Sequence, residues 1–171
     1  SDIMILLQQR HPMAIPLTAE LKRRNIQVAG SDRIKLPDFP AIRDLLNLVR
    51  WCIKPDDDYS LCCTLKSPIF RLKQDDIFKV CKLRNDINYT KKQTNKDAES
   101  VSVFDVLKDK FPQIHNRLAD IKNAAEHLSP YTFFTWVLNQ NDTRQSFISA
   151  MGEQVVDPLE EFLTICLSYE R

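Results

Sequence analysis

With 171 residues, 43% hydrophobic and 27% charged, the chain has the composition of a globular protein with room for one domain, or one domain and part of another. Its net charge of +1 supplies no global field for nucleic acid, so any basic surface has to be local. There are only two glycines, and neither G-x-x-x-x-G-K-[ST] nor G-x-G-x-x-G occurs, which excludes a Gly-rich nucleotide loop within these residues.

The first predicted element is DIMILLQ (2–8), a short continuous apolar run with the pattern of a strand covered on both faces. A helix follows, with Met13, Leu17 and Leu21 at four-residue spacing; Pro12 and Pro16 place its start near residue 16. IQVAG (26–30) reads as a second strand, so residues 1–40 have the strand–helix–strand order of a βαβ-like beginning. Beyond DRIKLPDFP the character changes to helices and loops, and residues 41–171 are expected to form a helical domain.

AIRDLLNLVRWCI places Ile42, Leu45, Leu46, Val49, Cys52 and Ile53 on one stripe of an amphipathic helix. Further helices are predicted near 58–65, 74–84, 101–110, 113–127, 130–139, 143–151 and 156–170. The segment 85–100, NDINYTKKQTNKDAES, is polar and without periodicity and reads as an exposed loop. TFFTWVL (132–138) is apolar on nearly all sides, which suits a helix in the middle of a bundle or a partner-binding face. In the final helix Leu159, Phe162, Leu163 and Cys166 share one face. A strand–helix–strand unit at one end and an uncapped helix at the other are expected to be cuts through a larger protein.

Cys52, Cys62, Cys63, Cys81 and Cys166 are odd in number and lack C-x-x-C spacing. Beside apolar neighbours on predicted helices they read as buried free thiols of a reducing compartment, not as disulfides or zinc ligands. The apolar run IMILL is five residues long and has no basic leader, and no segment approaches membrane-spanning length. The expectation is a cytoplasmic protein with no membrane partner.

The stretch CIKPDDDYSLCCTLKSPIFRL (52–72) concentrates the residues that invite a chemical reading. Asp56, Asp57 and Asp58 are contiguous, whereas a hard-cation loop needs oxygen ligands at alternating positions and a glycine for its turn. Asp57 or Asp58 as an N-cap after Pro55 explains the carboxylates more simply. Cys62 and Cys63 point to different sides of a helix, so at most one joins any single site. Elsewhere, Lys22, Arg23 and Arg24 suit either a DNA backbone or the dipole at a helix C-terminus, and the second is the simpler reading. Lys91, Lys92 and Lys96 with Tyr89 read as a solvated loop, Trp51 and Trp136 as core. His115 and His127 are twelve apart and have no ligand spacing to a cysteine or carboxylate.

The order of these elements carries a resemblance. The string DIMILLQQR, LTAELKRRNIQVAGSDRIKL and IRDLLNLVRWCIKPDDDYSLCCTLKSPIF resembles the UvrD/Rep family of superfamily 1 DNA helicases, where the RecA-like domain 2A gives way to an inserted helical domain 2B. The matching positions are Ile42, Asp44, Leu46 and Leu48 or Val49, then Pro55, Asp57, Asp58 and Leu61, then Ser67 and Pro68. The pairing of VAGSDR with LKSPIF and the ending DPLEEFLTICLSYER are most similar to AddA-type helicase–nuclease subunits. The resemblance is strong over 2–72, thinner through 73–128, and returns at 155–171.

That resemblance implies a mainly α chain, a helical 2B-like bundle (41–171) preceded by a partial RecA-like (α/β) segment (1–40). It implies a parent enzyme that couples ATP hydrolysis, with Mg²⁺, to translocation on single-stranded DNA and works with a nuclease subunit in double-strand break repair and recombination. The phosphate loop, acidic pair and arginine fingers of that family are outside this sequence, so this polypeptide alone is expected to be inactive, with no cofactor of its own. Two departures stand out. The family's first strand runs into an arginine, where this chain has Gln8 and Gln9 with Arg10 next. Relatives also carry a G-I-G turn after S-P whose amides grip duplex phosphates, where this chain reads SPIFRLKQDD. Arg10, Lys66, Arg71 and Lys73 are therefore the expected DNA-contacting side chains, at a junction of single-stranded and duplex DNA. A helical protein-interaction module without DNA function is the rival reading.

Overall fold

Starting signals in the sequence account for most helix N-termini in the computed structural model, which describes residues 5, 14–24, 26, 36–95 and 99–170. Proline occupies the first turn of α2 (Pro40–Ile53), α6 (Pro112–His127) and α7 (Pro130–Asn139), where its missing N–H costs nothing. In α3 (Asp58–Lys66) the cap is Asp57, whose carboxylate accepts from Ser60 N at 3.1 Å and Ser60 Oγ at 2.7 Å. Those bonds hold the Asp57 carboxyl below the usual carboxylate range, the backbone N–H first and the hydroxyl second. Ser102 and Asp105 form a reciprocal capping box at α5 (Val103–Lys110). Gly152, at φ +84°, ends α8 (Thr143–Met151) in a conformation that side-chain-bearing residues resist. The remaining helices are α1 (Ala14–Arg23), α4 (Gln74–Thr94) and α9 (Val156–Ser168).

The chain divides into two units, 1–35 and 36–171, five residues before the expected boundary at 40. In the first unit α1 begins at Ala14, two residues before the predicted start. Its C-terminal cations are engaged: Arg23 and Arg24 both donate to Glu20, at 2.7 and 2.8 Å. The expected strands 2–8 and 26–30 fall outside the described residues except for Ile5 and Ile26, which belong to no strand. Of the strand–helix–strand expectation, only the helix falls within the described residues.

The second unit is helical throughout, with no strand among the described residues. α2 packs against α3, α6 and α9; α5 joins α3, α4 and α6; α7 rests on α6, α8 and α9. The core is built from Trp51, Phe147, Ile42, Leu45, Leu48, Leu61, Leu65, Leu107, Leu118, Ile121, Leu138 and Leu159, all fully buried. Trp51 packs against Phe104 with the rings tilted (5.3 Å between centroids, 49°), and Phe104 stacks on His115 at 4.3 Å. Phe134 meets Phe133 and Phe162 edge to face; within TFFTWVL the face of Phe133, Phe134, Val137 and Leu138 is interior, while Thr132 is exposed. The face of α9 read from the sequence is buried as expected.

Two readings of the sequence are corrected. The stripe on α2 turns further than predicted: Leu48 and Trp51 are buried, while Ile53 is 79% exposed. Residues 85–94, expected as loop, continue α4 by ten residues. Tertiary contacts hold this polar extension. Asn88 donates to the Val101 carbonyl at 2.9 Å and accepts from the Val101 N–H at 2.7 Å, and Ile87 packs against the core. The three helices around this region meet at Asp58, which bonds the Val103 amide at 2.7 Å and pairs with Arg84 at 2.8 Å.

Candidate functional site

Three of the four basic side chains singled out from the sequence gather at one turn. Lys66 is the last residue of α3, Lys73 the N-cap of α4, and Arg71 lies between them; all three are exposed. The backbone returns on itself there, with the Leu72 N–H donating to Leu65 O at 2.8 Å. Arg10, the fourth, lies outside the described residues. Carboxylates are close too: Asp75 and Asp76 occupy the first turn of α4, and Asp76 pairs with Lys79 at 3.1 Å.

Ser67 organises this turn. Its hydroxyl donates to Thr64 O (2.7 Å) and accepts from the Ile69 N–H (3.2 Å), and its carbonyl accepts from the amides of Phe70 (3.2 Å) and Arg71 (2.8 Å). With Leu72 bonded to Leu65, the amides of residues 69 to 72 are all spent within the turn. No nest of free amides is left at residues 69 to 72 to hold a phosphate, so contact with a polyanion at those residues has to come from side chains. Arg71 sits at φ +55°, the left-handed conformation that glycine adopts at no cost.

From the other side the turn is clamped by Arg117 of α6. Its Nη1 donates to Ile69 O at 2.7 Å, its Nη2 to Thr143 Oγ1 at 2.9 Å, and its guanidinium lies 4.7 Å from the Phe70 ring centroid. Burial among these neutral oxygens lowers the Arg117 pKa from its ordinary value. Arg117 was not singled out from the sequence. Its signal is its position: it shares a helical stripe with Ile114, Leu118 and Ile121, where a guanidinium needs buried acceptors.

The other candidates resolve into structural roles. His115 stacks on Phe104, and His127 Nδ1 lies 2.8 Å from Asn123 O. No three His, Cys, Asp or Glu side chains among the described residues are grouped to hold a metal ion. Lys91, Lys92 and Tyr89 lie exposed on the second half of α4, and Lys96 is outside the described residues. Trp136 is half-buried against the core. None of the helices among the described residues is long and apolar enough to cross a membrane.

Asp44 is half-buried on α2, and burial raises its carboxyl from the ordinary 3.8 to about 6 against a smaller opposing effect of Arg43. A raised carboxyl binds its proton more tightly in the folded state. The resulting destabilisation is absent below about pH 4, grows between about pH 4 and 6, and is complete above that. Asp44→Asn is expected to raise stability at pH 7 by about 1–2 kcal/mol, after discounting for partial exposure, and to leave it unchanged at pH 4. Urea unfolding at the two pH values measures the difference.

No protein-family model, no curated protein and no solved structure matches the chain.

Proposed function

We propose that the chain is part of a superfamily 1 DNA helicase subunit of the UvrD/Rep kind, most similar to AddA-type helicase–nuclease subunits acting in double-strand break repair and recombination. In this reading the helical unit corresponds to the 2B domain, and the turn between α3 and α4 touches the DNA backbone through Lys66, Arg71 and Lys73. The observation that carries the reading is the turn itself: three exposed cations on a backbone whose amides are already bonded and which Arg117 clamps from behind. Rigid presentation lowers the ordering cost of each phosphate contact. In this reading ATP and Mg²⁺ belong to other parts of such an enzyme, since these residues include no Gly-rich phosphate loop. The role of this segment is positional, holding the duplex or docking a nuclease subunit in the cytoplasm.

Fluorescence anisotropy of the chain against a labelled duplex with a single-stranded tail, across a salt series, tests this. Binding is expected to weaken steeply with salt. The triple variant Lys66→Gln, Arg71→Gln, Lys73→Gln is expected to reduce the slope of log K against log salt by about 2–3, or roughly 0.9 for every phosphate that is no longer neutralised. Arg71→Gly removes one charge while suiting the left-handed backbone, so it weakens binding without loosening the turn. A folded chain that binds no DNA at low salt, or a triple variant with an unchanged slope, would overturn the reading. The result would then favour the protein-interaction module, which the exposed rings of Tyr59 (77%) and Phe78 (68%) on α3 and α4 favour independently.

A further inference from the structure

Cys62 on α3 and Cys81 on α4 are 19 residues apart, a spacing that matches no cysteine motif. The turn after α3 packs α4 against it, and the two sulfurs meet at 3.5 Å. Both side chains are half-buried and therefore within reach of a small reagent, whereas Cys52 and Cys166 are buried. Cys63, the next residue along α3, projects about 100° away around the helix axis.

We infer that Cys62 and Cys81 form a dithiol site whose substrate is a low-molecular-weight disulfide, which the pair reduces while closing a bond between α3 and α4. The thiolate of one cysteine attacks a sulfur of the small disulfide and expels one thiolate, leaving a mixed disulfide on the protein. The second cysteine gives up its proton, attacks the protein sulfur of that mixed disulfide and expels the second small thiolate. Two Cys–SH and one R–S–S–R thus become one Cys–S–S–Cys and two R–SH, with both protons ending on the released thiols. The sulfurs need to approach from 3.5 Å to about 2.05 Å for the bond to close.

The environment sets the pace. Burial first, then the contact with Cys81 and the nearby Asp58 carboxylate and Cys63 thiol, push the Cys62 thiol up to about 12. Thiolate is therefore scarce at that sulfur, which slows attack by Cys62. The inference is independent of the DNA reading, although the closed loop would enclose the turn that carries Lys66, Arg71 and Lys73.

The test is incubation of the full chain with oxidised glutathione at pH 8, followed by thiol counting in denaturant and peptide mapping. A Cys62–Cys81 linked peptide is expected to appear, in the chain as it stands, with its five thiols, and equally in Cys63→Ser, with four; any loss of the half-buried Cys63 thiol is expected only as a glutathione adduct. Cys62→Ser and Cys81→Ser are each expected to stop at a glutathione adduct on the remaining partner, with no intrachain link. Circular dichroism confirms that each variant is helical. A link through Cys63, a link between chains, or full retention of thiols after a day in which the urea-unfolded chain reacts would each overturn the inference.

Discussion

Trp51→Ala is expected to lower the unfolding free energy by about 3–5 kcal/mol, the range for removing a large aromatic ring from a packed interior. Trp51 has no solvent exposure, and its ring is the hub through which α2 reaches Phe104 and, beyond it, His115. Yet the site is not ideal for an indole: no acceptor among the described residues reaches the buried Nε1–H. A buried donor without a partner costs about 1–3 kcal/mol. Phenylalanine retains most of the ring and discards that donor, so Trp51→Phe is expected to cost less than about 1 kcal/mol. Urea denaturation followed by the fluorescence of Trp136 separates the two variants. Equal losses would mean that the indole N–H is satisfied and that the whole ring area sets the effect.

Arg117→Ala is expected to cost about 2–4 kcal/mol. It removes two hydrogen bonds from a charged donor, worth about 1.5–3 kcal/mol each, and the contact with Phe70, worth about 0.5–2 kcal/mol. Relief of the guanidinium's desolvation offsets part of that loss. Arg117→Lys restores a cation but not the fork that reaches Ile69 O and Thr143 Oγ1 together, and is expected to recover less than half. The informative readout is local. Amide exchange at Phe70, Arg71 and Leu72 should accelerate in Arg117→Ala by more than the global destabilisation predicts, because Arg117 pins the turn directly. Acceleration no greater than in a core variant such as Trp51→Ala would mean that Ser67 and Leu65 hold the turn unaided.

Helix positions in the second unit were legible because their signals are local. Apolar spacing, proline in the first turn and Asp57 before DYSL are each read within a few residues. The second half of α4 was not legible by the same means. NDINYTKKQT has poor amphipathic character, and what keeps it helical is Asn88 gripping a backbone segment 13 residues further on. In that half only Ile87 continues the apolar face of Ile77 and Val80, and the polar composition obscured it. On α2 the predicted stripe was out of phase because Ile53, near the helix end, is apolar but has nothing to pack against. At the turn, sequence identified Lys66, Arg71 and Lys73 as cations but not what presents them. Arg117 and the Cys62–Cys81 contact depend on pairings across 48 and 19 residues, which no spacing rule encodes.

Asp58 and the turn at Ser67 differ in how far along the chain their partners lie, and this sets the loop-closure cost of each. The turn closes over seven residues, from Leu65 to Leu72, while Asp58 must find the Val103 amide 45 residues away and Arg117 must find Ile69 from 48. For a flexible chain the longer closures cost about 2 kcal/mol more in loop entropy than the short one. The hairpin of α3 and α4 can therefore form while the rest of the bundle is still open, with its three cations displayed from the start. Docking of α6 then adds one cation behind that turn, the Arg117 guanidinium bonded to Ile69 O, which ties the hairpin to the rest of the bundle.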